Sequence, residues 1–219
     1  MTETLDLWRE WLPTLLTGLV LSLKVAGLAL LLGIPLGLLL ALGVQARLRA
    51  ARIASLIVVE VGRGTPALVL LQFAYYGLPS AGLTLTSYAS AVLALAWCTG
   101  AYTSEIIRGG LESVAAGQKE AADAIGLSRL DALRFIILPQ GLMVALPALL
   151  GFSITILQAT SLCFAIALPE LISRAYSIGS TTFLYLPVLI LAGLIYAVIC
   201  LPATVLVGKL EERLSSHTR

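Results

Sequence analysis

The sequence predicts an all-α membrane protein of five transmembrane helices, with its N-terminus outside and its C-terminus cytoplasmic. Three observations predict this. Of 219 residues, 59% are hydrophobic and 12% charged, whereas soluble domains carry about 25% charged residues. The mean hydropathy is +0.99, and the apolar residues gather into five runs of the length, about 20 residues in helix, that a bilayer core requires. The basic residues gather between alternate runs, on one side of the chain's path.

The first run, 25–44, carries no charge. Ahead of it Trp8 and Trp11 suit an interfacial segment along the outer leaflet, because their rings have an apolar body and a polar edge. Lys24 stands at the border of the span, where its ammonium can snorkel to water. The N-terminus is acidic (Glu3, Asp6, Glu10) and the apolar run after it is too long for a cleaved signal peptide, so this segment is expected to stay. The second run, 53–78, is interrupted by Glu60 and by Gly62-Arg63-Gly64-Thr65-Pro66. The third, 88–107, is charged only at Glu105. The fourth begins at 136 and reaches about 161, with Pro147 and Gly151 as its bending points. The fifth, 184–207, has Pro187 and Pro202 near its ends.

Lysine and arginine placement orients the set. Arg47, Arg49 and Arg52 follow the first run; Arg108, Lys119, Arg129 and Arg134 separate the third from the fourth; Lys209, Arg213 and Arg219 follow the fifth. Ten of fourteen basic residues thus share one face, the cytoplasmic one. The net charge of +2 is too small to imply a nucleic-acid partner. The three cysteines, Cys98, Cys163 and Cys200, all sit in apolar runs, which speaks against a disulfide framework or a metal site. The one histidine, His217, belongs to a solvated tail. The whole of 1–219 reads as a single transmembrane domain.

The connection between the third and fourth runs, 108–135, is too long to be structureless. Residues 112–125 are rich in alanine, glutamate and lysine, which favour helix. Gly126 is able to end that helix in a left-handed conformation. Ser128, with Asp131 three residues on, caps a second helix that feeds into the fourth span, and Pro139 bends the chain where it enters the membrane.

Within this connection stand Glu120-Ala121-Ala122, then Gly126 after three residues, then Ile136, Leu138 and Pro139 after nine more. The spacing resembles the loop signature of the membrane subunits of bacterial ATP-driven (ABC-type) importers. Arg63-Gly64-Thr65-Pro66, Tyr75-Tyr76-Gly77, the stretch from Glu105 to Glu112, Gly117-Gln118, Leu138-Pro139-Gln140, Thr160-Ser161-Leu162 and Leu210-Glu211-Glu212-Arg213 are similar to the polar amino acid permease branch of that family, over about residues 15–214. The resemblance implies a multi-pass protein of the bacterial inner membrane whose loop docks on an ATP-hydrolysing subunit. In that reading Glu120 makes a charged contact, the pair Ala121–Ala122 allows close approach, and Gly126 permits the turn. It further implies two ATPase subunits, a second permease subunit (identical or similar), an extracytoplasmic solute-binding protein and an amino acid substrate. ATP and Mg would be bound by the ATPase subunit, with no cofactor and no catalytic residue in this chain. One departure is clear: where many members have a lysine and an aspartate before the Thr-Ser pair, this chain has Gln158 and Ala159. That leans the expected substrate toward a neutral polar or differently charged amino acid rather than a cationic one.

Ionisable groups within a span cost about 2.5–3.5 kcal/mol on insertion scales, so Glu60, Arg63 and Glu105 call for partners or a function. Glu60 and Arg63 are three apart and can pair on a helix, as can Glu105 and Arg108. The functional reading places Glu60, Arg63, Thr65, Gln72, Glu105, Gln158, Thr160 and Ser161 along a substrate path, with the neutral donors and acceptors lining one cavity. An ion-coupled carrier using Glu60 or Glu105 is the rival reading. Against it, no internal repeat of the kind common in secondary transporters is evident. No phosphate-binding loop is present either: only Lys209 follows a glycine, Leu210 comes next, and Ala203 stands at the first glycine position. The energy source is therefore expected on another polypeptide.

Overall fold

The computed structural model describes residues 2–216, with side chains from 4 to 214. His217 and Arg219 lie outside the described residues. Every regular element among those described is helical: α1 (Thr2–Val44), α2 (Arg49–Gly64), α3 (Ala67–Gln72), α4 (Ser87–Glu112), α5 (Ala116–Ala124), α6 (Arg129–Ala132), α7 (Leu138–Ala159), α8 (Leu171–Thr182) and α9 (Tyr185–Ser216).

Three stretches are long and apolar enough to cross a membrane: 4–44, 129–166 and 185–214. A fourth counts if α2 and the helix after it, bent by 106° at a short break, form one span. The break falls at Thr65-Pro66. Proline disfavours helical geometry in the residue before it, and Thr65 is accordingly extended (φ −95°, ψ 131°). The run 53–78, expected to be interrupted at 62–66, is thus sharply broken there.

α1 differs from expectation. The separate interfacial segment and the span 25–44 are one helix of 43 residues, about 65 Å at 1.5 Å per residue. Trp11, Leu15 and Leu19 are buried with Leu171, Ala175, Val188 and Ala192 of α8 and α9, and Trp8 Nε1 donates to the Pro187 carbonyl at 3.1 Å. Contacts more than 150 residues distant keep this amphipathic stretch helical through Pro13. Lys24, expected at the border of the span, stands near the middle of this helix and is exposed.

α4 is the centre of the bundle, packed by α1, α2, α3 and α7. It falls outside the apolar candidates because its buried residues are small or hydroxylated, among them Ser90, Ala91, Ala94, Thr99, Gly100, Ala101, Thr103 and Ser104. Small residues let helix backbones approach closely without lipid between them. A Cβ on Gly33 would collide with Thr99, and one on Gly37 with Thr103. The buried hydroxyls bond back to their own helix, Thr99 Oγ1 to the Leu95 carbonyl and Thr103 Oγ1 to the Thr99 carbonyl, each at 2.7 Å. The outward faces of α1 and α9 are by contrast bare leucine and valine, such as Leu31, Leu39, Val198 and Leu201.

Candidate functional site

The polar features fall into three places. The first is the connection between α4 and α7. α4 continues through Glu112, so the helix expected over 112–125 is confined to α5, Ala116–Ala124. Gly126 is left-handed (φ +74°) as its position requires. The Leu127 N–H bonds the Ala122 carbonyl and the Gly126 N–H the Asp123 carbonyl, each at 3.0 Å, which is the double bond of a Schellman ending. Ser128 then caps α6: its Oγ accepts from the Asp131 N–H at 3.2 Å and donates to the Asp131 carboxylate.

α6 reaches α7 through a π turn, Leu133–Ile137. Pro139 explains it. The missing N–H would have bonded the Phe135 carbonyl, and the ring clashes with that carbonyl in a regular helix; one extra residue in the turn relieves both. Pro139 itself lies in the first turn of α7, so the expected bend sits just before it. A second π turn, Phe73–Gly77, precedes Pro79 at the same offset. Glu120 and Ala121 are exposed on α5, whereas Ala122 is buried. Ala122 thus packs within the hairpin, and the expected outward-facing small pair is reduced to Ala121. Ile136 and Leu138 are half-buried and Pro139 is exposed. Beside them Ile125, Leu130 and Phe135 are all strongly exposed. These apolar side chains were missed in the sequence because a hydrophobic residue after a helix reads as core.

The second place is a line of alternating charges. Arg63 pairs with Glu60 at 3.3 Å and Arg108 with Glu105 at 2.7 Å, the two helix-spaced pairs expected. Two further bridges join them into one series: Arg63 to Glu105 at 3.4 Å, from α2 to α4, and Arg108 to Glu112 at 2.8 Å. Glu105, expected to have at most Arg108 nearby, holds two arginines. The Tyr102 hydroxyl donates to the Arg63 carbonyl at 3.2 Å, beside the break. Thr65 is part of that break.

The third place is an open cavity of about 410 Å³ lined by Gln158, Ser161, Ile172 and Tyr196. Two of the four neutral residues expected to share one cavity are here. Gln72 is exposed and not among the lining residues. Thr160 is fully buried, its Oγ1 donating to the Leu157 carbonyl at 2.7 Å. The reason is the 3-10 turn Thr160–Ile166 after α7, which with three residues per turn points neighbouring side chains in well-separated directions.

Behind the cavity lies Glu170, fully buried, which sequence reasoning passed over. Its carboxylate accepts from the backbone N–H groups of Ile172 at 2.9 Å and Ser173 at 2.7 Å, capping α8. Burial pushes its carboxyl up to about 7, opposed by those two N–H groups and by the hydroxyls of Ser22 and Tyr196. In the sequence it sits in a connection between spans with Arg174 four residues on, the spacing of a solvated ion pair. Glutamate is not among the preferred N-cap residues, so its capping role was not legible in the sequence.

A family profile described as "binding-protein-dependent transport system inner membrane component" matches residues 33–216. The arginine transport system permease protein ArtQ of Bacillus subtilis is 35% identical over 207 residues, 94% of each chain. The nopaline transport system permease protein NocM of Agrobacterium fabrum is 38% identical, covering 96% of this chain and 91% of that protein. A crystal structure of an amino acid ABC transporter with histidines superposes with a TM-score of 0.88 at 34% identity, over 94% of this chain and 96% of that one. An inward-facing methionine ABC transporter shares the fold at a TM-score of 0.65 and 18% identity.

Proposed function

Because the chain belongs to the binding-protein-dependent transport system inner membrane component family, we propose that it forms the translocation path for a polar amino acid and couples through the α5–α6 loop to ATP hydrolysis on a separate subunit. Relatives named for arginine, glutamine and glutamate/aspartate transport support the substrate class. Membership places the chain in the inner membrane and in an ABC transporter complex with ATPase and permease partners, and it favours the ATP-driven reading over the ion-coupled carrier.

The observation that carries the coupling reading is the build of the loop. α5 projects Glu120 and Ala121 outward, flanked by exposed Ile125 and Leu130, and the short hydrogen-bonded turn at Gly126 joins it through α6 and the π turn to α7. A stiff element continuous with a membrane helix is able to transmit a displacement applied at its tip. In this reading Glu120, Ala121 and the neighbouring apolar side chains meet the ATPase subunit. Ala122, Gly126, Ile136, Leu138 and Pro139 hold the loop's shape.

The proposal includes five spans: α1, the broken α2–α3 pair, α4, α6–α7 and α9, with the N-terminus outside. Two ATPase subunits holding ATP and Mg, a second permease subunit and an external solute-binding protein complete the complex. The substrate path takes in the cavity at Gln158 and Ser161 and, toward the cytoplasm, the charges of Glu60, Arg63 and Glu105 beside Thr65; Gln72 and Thr160 are secondary to it. The neutral lining of the cavity favours a polar amino acid of no net charge.

The test is co-purification and ATPase activity of the complex in lipid, wild type against Glu120→Lys with Gly126→Pro. An ATPase subunit retained by the wild type and lost by the double variant, with hydrolysis stimulated by one amino acid, is the expected result. An ATPase subunit retained equally by both removes the docking role of the loop.

A further inference from the structure

Glu170 is the one acidic side chain among the described residues that is fully buried, and four elements converge on it. From α1, Gly18 meets its backbone so closely that a Cβ there would stand 2.9 Å from the Glu170 carbonyl carbon, and Ser22 Oγ accepts from the Leu171 N–H at 3.5 Å. The 3-10 turn brings Thr160 and Cys163, both fully buried. From α9 comes Tyr196, whose buried hydroxyl stands beside Glu170, Thr160 and Ser22. The same Tyr196, with Ile172 of α8, forms the wall of the cavity that Gln158 and Ser161 line. One wall of that cavity is therefore backed by a buried carboxyl.

We propose that Glu170 is a positioning residue for the transport path: its buried carboxyl fixes the start of α8 against α1 and, through Tyr196, holds the inner wall of the Gln158–Ser161 cavity dry and closed. The inference rests on the transport reading for its consequence, but not for its geometry. Among the described residues no cation faces the carboxyl. α1 offers the Ser22 hydroxyl, the turn offers Thr160 and the Cys163 thiol, α9 offers the Tyr196 phenol, and Arg174 on α8 itself is exposed.

A neutral carboxyl accepts both α8 N–H groups and also has a proton to donate to a neighbouring hydroxyl. The two N–H groups favour the ionised form as well, but without a counter-charge that form also draws on water, and the route for water is the cavity behind Tyr196. The folded pKa of about 7 lies above the ordinary 4.5, so the neutral form is favoured in the fold. Its contribution is complete below pH 4.5 and is lost as the pH rises through 7.

The experiment uses the full complex with its binding protein in proteoliposomes, with L-glutamine and L-arginine as probes. Half-saturation and maximal rate of uptake are measured from pH 5.5 to pH 8.5, alongside hydrogen exchange of the α8 amides. In the wild type, half-saturation should rise about fivefold across this range, the effect of one buried hydrogen bond, while protection at Ile172 and Ser173 falls. Glu170→Gln, a permanent neutral side chain, should flatten both profiles near their acidic values and change the maximal rate little. A Glu170→Gln profile that follows the wild type overturns the proposal, as does a flat wild-type profile. If Glu170→Gln does not assemble, Tyr196→Phe decides: raised half-saturation supports the proposal and unchanged half-saturation overturns it. If the wild type takes up neither probe, the transport reading fails, and the exchange profiles alone still decide for or against Glu170.

Discussion

At Glu105 two arginines from different helices meet one carboxylate, and the exposure of the three side chains, between 27% and 38%, sets what that is worth. Ion pairs this open to solvent contribute little each, but Glu105 is the only link between the Glu60–Arg63 pair on α2 and the Arg108–Glu112 pair on α4. Glu105→Gln should therefore lower the unfolding free energy of the purified complex by about 1 kcal/mol, with α2 still held to α4 by the Tyr102–Arg63 and Trp97–Val58 hydrogen bonds. Glu60→Gln and Glu112→Gln each remove one outer contact and should do less. Thermal unfolding in low and high salt checks this. The three variants should converge in high salt, where screening weakens the exposed pairs, and a Glu105→Gln loss no larger than that of Glu112→Gln would show that the α2–α4 bridge adds nothing. The helix-spaced pairs in this series were legible in the sequence because three and four residues bring side chains together on any helix. The bridge from Arg63 to Glu105 was not, since it depends on how two helices cross.

Helical elements that end on local chemistry were legible: the break at Thr65-Pro66, the left-handed Gly126 and the Ser128 cap. Elements whose limits depend on distant packing were not, and α1 is the clearest case. Its first turns carry Asp6, Arg9 and Glu10, which read as a surface segment, but Trp11 and Leu15 find α8 and α9. The π turn before Pro139 lies between these cases, since a proline in a helix announces a defect without saying which. One extra residue turns everything before it by about 100° relative to α7, so this turn sets where α5 points. Pro139→Ala supplies the missing N–H and allows the turn to tighten into regular helix. It should leave thermal stability within about 1 kcal/mol yet lower substrate-stimulated ATPase activity severalfold, as α5 is aimed elsewhere. Pro79→Ala, altering the equivalent turn far from the loop in sequence, should leave the ATPase subunit bound and coupled. Equal stimulation in wild type and Pro139→Ala would mean that packing of α5 on the turn, not the proline, maintains the aim.

For the whole molecule, the proposed five-span path takes its orientation from one chemical argument, the ten basic residues that follow alternate apolar runs. The helix that looks least like a span, α4, is the one most enclosed by the others. Its serines, threonines and alanines lower its hydropathy for the same reason that they let it occupy the centre, where it meets protein instead of lipid. By apolarity alone α4 falls short of the other spans, yet the run 88–107, charged only at Glu105, already marked it in the sequence. The path has a direct test, because Cys98, Cys163 and Cys200 are all buried and free, leaving little background for an impermeant thiol reagent. Single cysteines at Leu5, Leu83 and Phe183, each exposed, should label from outside intact cells. Cysteines at Lys119 and Glu120, exposed on α5, should label only after the membrane is opened. Phe183 and Glu120 are the decisive pair: they flank the α6–α7 span and, on the far side, α8. Labelling of both from the same side would remove the span between them, and with it the idea that a push on α5 is carried across the membrane by α7.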